Sequence, residues 1–224
     1  MRQVALNTHI SGTFNIELEN LRNSVLTMGG EVEQQLLDTL KALKLNHPGL
    51  AEKVVLNDLK INSMEIQIDE ECIRIIAKRH PTASDLRLIM TISKAITDIE
   101  RMGDEIERIA KLVTRNKLPS SDTIKSSMLL IGERVAAMMR GTFDAFARQD
   151  ESAALAVYKQ DNRIDSEYKR LLTYTTTEME KTTEDMQDWL DVLWAMRSLE
   201  RIGDRCKNVC EYVVYLTRGT DVRH

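Results

Sequence analysis

The sequence predicts an all-α protein, and three observations support that fold class. The 224 residues include only nine glycines and three prolines, and 4% are aromatic. The chain is rich in Leu, Ile, Met, Glu and Lys, which favour helix over sheet. Apolar residues recur at steps of three and four, as on the buried face of an amphipathic helix. A hydrophobic content of 42% with 29% charged residues is typical of a globular domain.

Six long helices account for most of the chain. Short polar or proline-containing stretches separate the periodic segments, as in "NHPGL" at 46–50 and "NKLPSSD" at 116–122. Proline ends a helix because it lacks the N–H donor and clashes with the preceding turn. Long helices joined by short loops pack as antiparallel bundles. The predicted helices lie near residues 14–45, 49–79, 85–116, 122–149, 152–181 and 185–217.

The two halves of the chain repeat each other. A shift of 103 residues pairs Asp58 with Asp161, and further along each half a shift of 100 pairs "ERMGD" at 100–104 with "ERIGD" at 200–204. Self-similarity at a fixed period indicates a duplicated structural unit. The sequence therefore predicts two tandem three-helix bundles related by an internal pseudo-two-fold axis. The predicted bundles span residues 12–117 and 121–218.

Charge and motif content exclude several classes of function. The net charge is −4, with 31 basic and 35 acidic residues interspersed, so no basic footprint for nucleic acid exists. The opening "MRQVALNTHISGTF" lacks the apolar core of a signal peptide, and no apolar run approaches the ~20 residues of a spanning helix. We therefore expect a cytoplasmic location. The three cysteines form no CxxC pair and the four histidines no HExxH motif, so we expect no zinc site.

Paired acids flank a glycine in each copy, although glycine inside a helix costs about 1 kcal/mol relative to alanine. Glu100 and Asp104 lie about 40° apart on one helix face, outside the apolar stripe, so we expect them to point away from the core. Antiparallel packing would set them across a groove from the acids of the second helix. Crowded carboxylates raise one another's pKa unless a cation lies among them. The candidate metal ligands are Asp58, Glu100, Asp104, Asp161, Asp165, Glu200, Asp204 and Asn208.

An all-oxygen ligand set suits hard or borderline cations such as Mg²⁺, Mn²⁺, Ca²⁺ or iron. Gly103 and Gly203 would then allow a neighbouring helix or a metal cluster to approach the backbone. Three interpretations stay open from the residues alone. The chain is a non-enzymatic regulator, a carboxylate-bridged metal-dependent hydrolase or oxidase, or a structural bundle whose acids are only solvated.

The sequence resembles the PhoU family, the accessory regulators of the bacterial phosphate-specific transport system. The resemblance spans about residues 10–224 and rests on the duplicated "ERxGD", on "DEECIRIIAKRHPTASDLRLIMTISKAITDIERMGDEIERIAK" and on "RSLERIGDRCKNVCEYVVYLTRGTDVRH". It implies two three-helix bundles and a negative regulator of phosphate uptake and of the phosphate-starvation response. The implied partners are the transporter ATPase PstB and the sensor histidine kinase PhoR. It also implies a homodimer, contact with the membrane only through partners, and metal ions or multinuclear clusters on the Glu/Asp motifs, for which the oxygen donors favour Mg, Mn or iron.

The two copies differ at positions that matter for cation binding. Asn62 stands where the second copy has Asp165, and Arg108 stands where it has Asn208. An amide is a weaker, uncharged ligand than a carboxylate, and a guanidinium cannot act as a ligand. On these residues we expect two unequal sites, with the stronger one in the second copy.

Overall fold

The computed structural model describes residues 12–115, 121–181 and 186–219, and these ranges form seven helices and no strand. The predicted all-α class and the duplication of a three-helix bundle are confirmed. The first bundle comprises α1 to α3 and the second α4 to α7. The helices are α1 Gly12–Leu45, α2 Pro48–Arg79, α3 Ala83–Thr114, α4 Asp122–Arg148, α5 Glu151–Tyr158, α6 Asp161–Met179 and α7 Met186–Arg218.

The ends of α2 show how local sequence sets the helix boundaries. Pro48 occupies the first turn, where its missing N–H costs nothing. The Nδ1 atom of His47 accepts a hydrogen bond from the backbone N–H of Leu50 at 3.0 Å. At the other end His80 adopts a left-handed conformation with φ 48°, which turns the chain toward α3.

The prediction of one helix over 152–181 is wrong, because two helices occupy this segment. α5 ends at Tyr158, and the turn residues Lys159 and Gln160 separate it from α6. The backbone N–H of Gln160 donates to the carbonyl of Val157 at 2.8 Å, an i to i−3 bond in place of the i to i−4 bond of an α-helix. No glycine or proline marks this break in the sequence.

The two bundles pack side by side, and α1 crosses α4 at a pair of glycines. A Cβ atom on Gly29 would lie 3.0 Å from the ring of Phe143, and one on Gly132 would lie 2.2 Å from Cδ2 of Leu40. A shift of 103 relates Gly29 to Gly132 and Leu40 to Phe143. Each glycine therefore packs against a large side chain on the helix that carries the other glycine, which is the contact pattern of a two-fold interface.

α3 and α7 form the second contact between the bundles, and its polar pairs obey the same symmetry. Arg205 donates to the buried carboxylate of Asp98 at 3.1 Å. Ser198 donates to the buried carboxylate of Glu105 at 2.7 Å. A shift of 100 exchanges the two pairs, and the residue numbers run in opposite directions along the two helices. α3 and α7 are therefore antiparallel about the internal axis.

One cluster of buried apolar side chains extends through both bundles. Its fully buried members include Met28, Ile61, Ile99, Met139, Ile202 and Cys206. None of the helices in the described ranges has both the length and the apolar character that a membrane span requires.

Candidate functional site

A buried aspartate of each bundle lies against the glycine of the paired-acid motif. Asp58 on α2 is 5% exposed and Asp161 on α6 is 1% exposed. A Cβ atom on Gly103 would lie 3.1 Å from Oδ1 of Asp58, and one on Gly203 would lie 3.0 Å from Oδ1 of Asp161. The glycines therefore allow a carboxylate of the neighbouring helix to lie against the helix backbone, as the sequence predicted.

The first-copy site gathers carboxylates in the groove between α2 and α3. Burial, together with the charges of Glu107 and Asp104, raises the pKa of Asp58 from 3.8 to about 6. Burial, followed by the charges of Asp104, Glu65 and Asp58, also raises the pKa of Glu100. These carboxylates are thus close enough for each to resist ionisation of the next.

Asp58 is poorly compensated in this groove. Its Oδ1 atom has no hydrogen-bond partner, and the amide of Asn62 reaches Oδ2 only at 3.5 Å. The nearby Lys111 instead pairs with Glu107, with Nζ 2.5 Å from Oε2. A buried carboxylate oxygen without a donor is costly, and a bound cation is one group that would compensate it.

The second-copy site has the corresponding acids Asp161, Glu200 and Asp204, but it also contains its own cation. The Nζ atom of Lys207 lies 2.9 Å from Oδ2 of Asp161. Burial raises the pKa of Asp161, while this contact acts in the opposite direction. Burial and the charge of Asp204, with a smaller effect of Asp165, raise the pKa of Glu200, and its Oε2 atom has no hydrogen-bond partner.

The match of this chain to a known protein family follows its internal duplication. The family described as PhoU domain matches this chain twice, over residues 25–113 and 128–213. The chain belongs to the PhoU family.

Relatives and solved structures of this family match the chain over nearly its whole length. The accessory protein PhoU of the phosphate-specific transport system from Serratia marcescens is 44% identical, covering 100% of this chain and 92% of the relative. The protein of the same name from Escherichia coli K12 is 43% identical, covering 100% and 93%. The crystal structure of PhoU from Pseudomonas aeruginosa superposes with a TM-score of 0.88 at 44% identity, covering 92% of this chain and 100% of that one.

The PhoU-family chain buries its paired acids more than the sequence indicated. Glu200 is 9% exposed, and Glu100 and Asp104 are half-buried. We expected these side chains to face outward, but the second helix of each bundle covers their face of the third helix. The position of a residue relative to the apolar stripe of its own helix does not predict this burial, because the burial comes from a neighbouring helix.

Asn208 lies at the contact between the two bundles. Its Nδ2 atom donates to Oδ1 of Asp98 on α3 at 3.2 Å, beside a hydrogen bond from Tyr212 to the other carboxylate oxygen at 2.8 Å. The amide of this predicted ligand is therefore engaged by the other copy. Its Oδ1 atom is the only one of its two polar atoms with the chemistry of a metal ligand.

The donor set fits a hard cation, although the side chains are not gathered into a finished cage. Across the described ranges no three His, Cys, Asp or Glu side chains are arranged so that they could hold a metal ion. The unpartnered Oδ1 of Asp58 and the oxygen-only character of the site still match the preferences of Mg²⁺, Mn²⁺ or iron.

Two residues that affect these sites were not predicted from the sequence: Lys207 in the second-copy site and Asp98 at the contact between the bundles. Lys207 occupies the position that corresponds to Glu107, so a comparison of the two copies held the signal. Asp98 directly precedes Ile99 of the apolar stripe. A carboxylate at the border of a buried face predicts a partner on another helix, because an unpaired buried charge is too costly.

Proposed function

We propose that this chain is a non-enzymatic regulator of phosphate uptake and of the phosphate-starvation response. The single observation that carries the proposal is its identity of 43–44% over the full 224 residues with relatives named as accessory proteins of the phosphate-specific transport system. In this role the protein keeps the starvation response off and limits uptake when phosphate is plentiful.

The proposed partners are the ATPase PstB of the phosphate transporter and the sensor histidine kinase PhoR. A rigid pair of bundles with long exposed helix faces suits a protein that acts by docking. We propose that it works in the cytoplasm as a homodimer, reaches the inner membrane only through these partners, and binds no nucleic acid. The interspersed charges, with a net charge of −4, support the last point.

We further propose that the acid motifs bind divalent or iron cations. Asp58, Glu100 and Asp104 would hold a cation in the first copy. In the second copy the ligands would be Asp161, Asp165, Glu200, Asp204 and Asn208. A bound cation would neutralise the crowded carboxylates and stiffen the contact between the second and third helices.

The contact of Lys207 with Asp161 changes the expected order of the two sites. The substitutions at positions 62 and 108 alone favoured the second copy. A cation there must displace an ammonium group that lies 2.9 Å from the buried carboxylate. The Oδ1 atom lacks a hydrogen-bond partner in both Asp58 and Asp161, but in the first copy the nearby Lys111 pairs with Glu107 instead of the buried aspartate. We therefore propose that the first copy binds cations more tightly.

Affinity isolation tests the regulatory function. The tagged full-length chain would be recovered from gently solubilised membranes of cells grown at high and at low phosphate. The proposal expects the transporter ATPase and the sensor kinase in the eluate, and expects a starvation promoter to become active at high phosphate when the chain is deleted. Recovery of neither partner, together with normal promoter control in the deletion strain, would overturn it.

A turnover assay separates this function from a metal-dependent enzyme. Protein loaded with Mn²⁺ or Fe²⁺ would be incubated with phosphate mono- and diesters and with oxidisable substrates. If the protein is a regulator, any turnover observed should be the same in the wild type and in Asp58→Ala. Turnover that depends on Asp58 would support the alternative, a carboxylate-bridged metal-dependent enzyme.

A further inference from the structure

A basic groove opens on the second bundle where α4 passes the break between α5 and α6. Its volume is about 510 Å³, within the range of small-molecule sites. Three cations, Arg134, Lys159 and Arg163, line it together with the amide of Gln160, and no carboxylate is among its lining residues. Lys159 and Gln160 are the turn residues that interrupt the predicted fifth helix, so the break itself supplies part of the lining.

The first bundle provides a built-in comparison for this groove. A shift of 103 relates Arg134 to Glu31 and Arg163 to Lys60. Glu31 and Lys60 form an ion pair, with Nζ 2.7 Å from Oε1. In the second bundle both positions carry a guanidinium, so the pair that neutralises the first bundle is replaced by two like charges. Like charges that share a groove repel unless an anion lies between them.

One carboxylate next to the groove compensates it only in part. Glu167 approaches Arg134, with Oε1 2.9 Å from Nη2. This contact uses one of the five N–H donors of the guanidinium. The side chains of Lys159 and Arg163 are exposed, and the groove retains an excess of positive charge.

We propose that this groove binds an anion with two or more linked phosphate groups. Guanidinium groups form paired, charge-assisted hydrogen bonds with phosphate oxygens, and a lysine adds a mobile point charge. A groove of about 510 Å³ lined by three cations has room for two or more linked phosphate groups, and the positive charge that Glu167 leaves in excess favours an anion. Free pyrophosphate and the phosphate chain of a nucleotide share this chemistry. The inference is independent of the transporter and kinase partners proposed above.

Titration calorimetry on the full-length protein tests the proposal. Pyrophosphate, ATP and inorganic phosphate would each be titrated after removal of bound metal, in buffer without divalent cations, so that the acid motifs cannot recruit the anion through a metal. We expect pyrophosphate or ATP to bind more tightly than inorganic phosphate. Tighter binding of ATP than of pyrophosphate identifies a nucleotide site, and the reverse order identifies a site for free oligophosphate; both support the proposal.

Matched variants locate the binding. Arg163→Gln is expected to weaken it at least about fivefold, while Arg163→Lys keeps the charge but loses the paired hydrogen bonds and is expected to weaken it less. Lys60→Gln removes the corresponding cation of the first bundle and is expected to leave binding unchanged. The proposal is overturned if neither pyrophosphate nor ATP binds at millimolar concentration, or if Lys60→Gln weakens binding as much as Arg163→Gln.

Discussion

Asp58→Asn is expected to stabilise the metal-free protein at neutral pH. The carboxylate of Asp58 is 5% exposed, and its Oδ1 atom has no hydrogen-bond partner. Burial is the main reason that its pKa is raised from 3.8 to about 6, and the charges of Glu107 and Asp104 add to it. The folded protein therefore resists ionisation of this group, whereas the unfolded chain does not.

The direction of the pH effect follows from this difference. A carboxyl group whose pKa is higher in the folded state holds its proton more tightly there, so the free energy of unfolding falls as the pH rises from about 4 to about 6. Well below the unfolded-state pKa of 3.8 the group is protonated in both states and the penalty vanishes. At about 1.4 kcal/mol for each pKa unit, the full penalty above pH 6 is about 3 kcal/mol. An asparagine at this position carries no charge and avoids it.

Urea unfolding followed by helical circular dichroism measures the effect. With divalent cations removed, Asp58→Asn should raise the free energy of unfolding at about pH 7.5 by up to about 3 kcal/mol and leave it nearly unchanged at about pH 4. Asp161→Asn is the matched control. It removes the partner of the Lys207 ammonium and should give no comparable gain. Equal gains in the two variants, or a gain at pH 4 as large as at pH 7.5, would refute the reasoning.

Addition of Mn²⁺ connects this measurement to the cation site. A cation among the carboxylates should stabilise the wild-type protein, because it binds the folded state and removes the penalty on Asp58. Asp58→Asn should respond much less, since the variant lacks a charged ligand. A response of Asp58→Asn as large as that of the wild type would place the cation elsewhere.

Three further predictions follow from the structure. Gly30→Ala should raise the free energy of unfolding by about 0.5–1 kcal/mol, since a Cβ there meets nothing within 4 Å. Gly29→Ala should lower it by about 1–3 kcal/mol, because the added Cβ presses on the ring of Phe143. In urea unfolding the two variants should therefore shift in opposite directions. Lys207→Met should increase the Mn²⁺ bound by the second copy, measured by metal analysis after dialysis, and an unchanged metal content would contradict it. Asp98→Ala should lower the free energy of unfolding by roughly 2–4 kcal/mol, because three donors between the bundles lose their acceptor; a loss below about 1 kcal/mol would show that water replaces it.

The helices were predictable because their signals are local. Proline, caps and the three- and four-residue spacing of apolar side chains act within a few residues, and five of the six predicted helices correspond to single helices of the structure. The break at Lys159 and Gln160 has no such signal in its residue types. The corresponding residues of the first copy, Leu56 and Asn57, lie inside the continuous helix α2.

The candidate site was predictable in its residue types but not in its electrostatics. Identical residues in both copies indicated that Glu100 and Asp104 share a function with Glu200 and Asp204. The burial of these acids depends on which helix covers their face, and this coverage follows from the packing of long helices rather than from one helix's sequence. The partner of each buried carboxylate depends on that same packing.

Duplication has kept the packing of the two copies while changing the order of their charges. Glu107 and Lys111 of the first copy correspond to Lys207 and Glu211 of the second, so the net charge is the same and the two signs are exchanged. The exchange brings an ammonium against the buried aspartate of the second copy, whereas in the first copy Lys111 pairs with Glu107 and acts on Asp58 only through its charge. We therefore propose that the acidic groove of the first copy takes up an external cation, whereas Lys207 partly fills that role in the second copy. With the anion proposed for the basic groove of the second copy, the two halves of one symmetric scaffold would bind ligands of opposite charge.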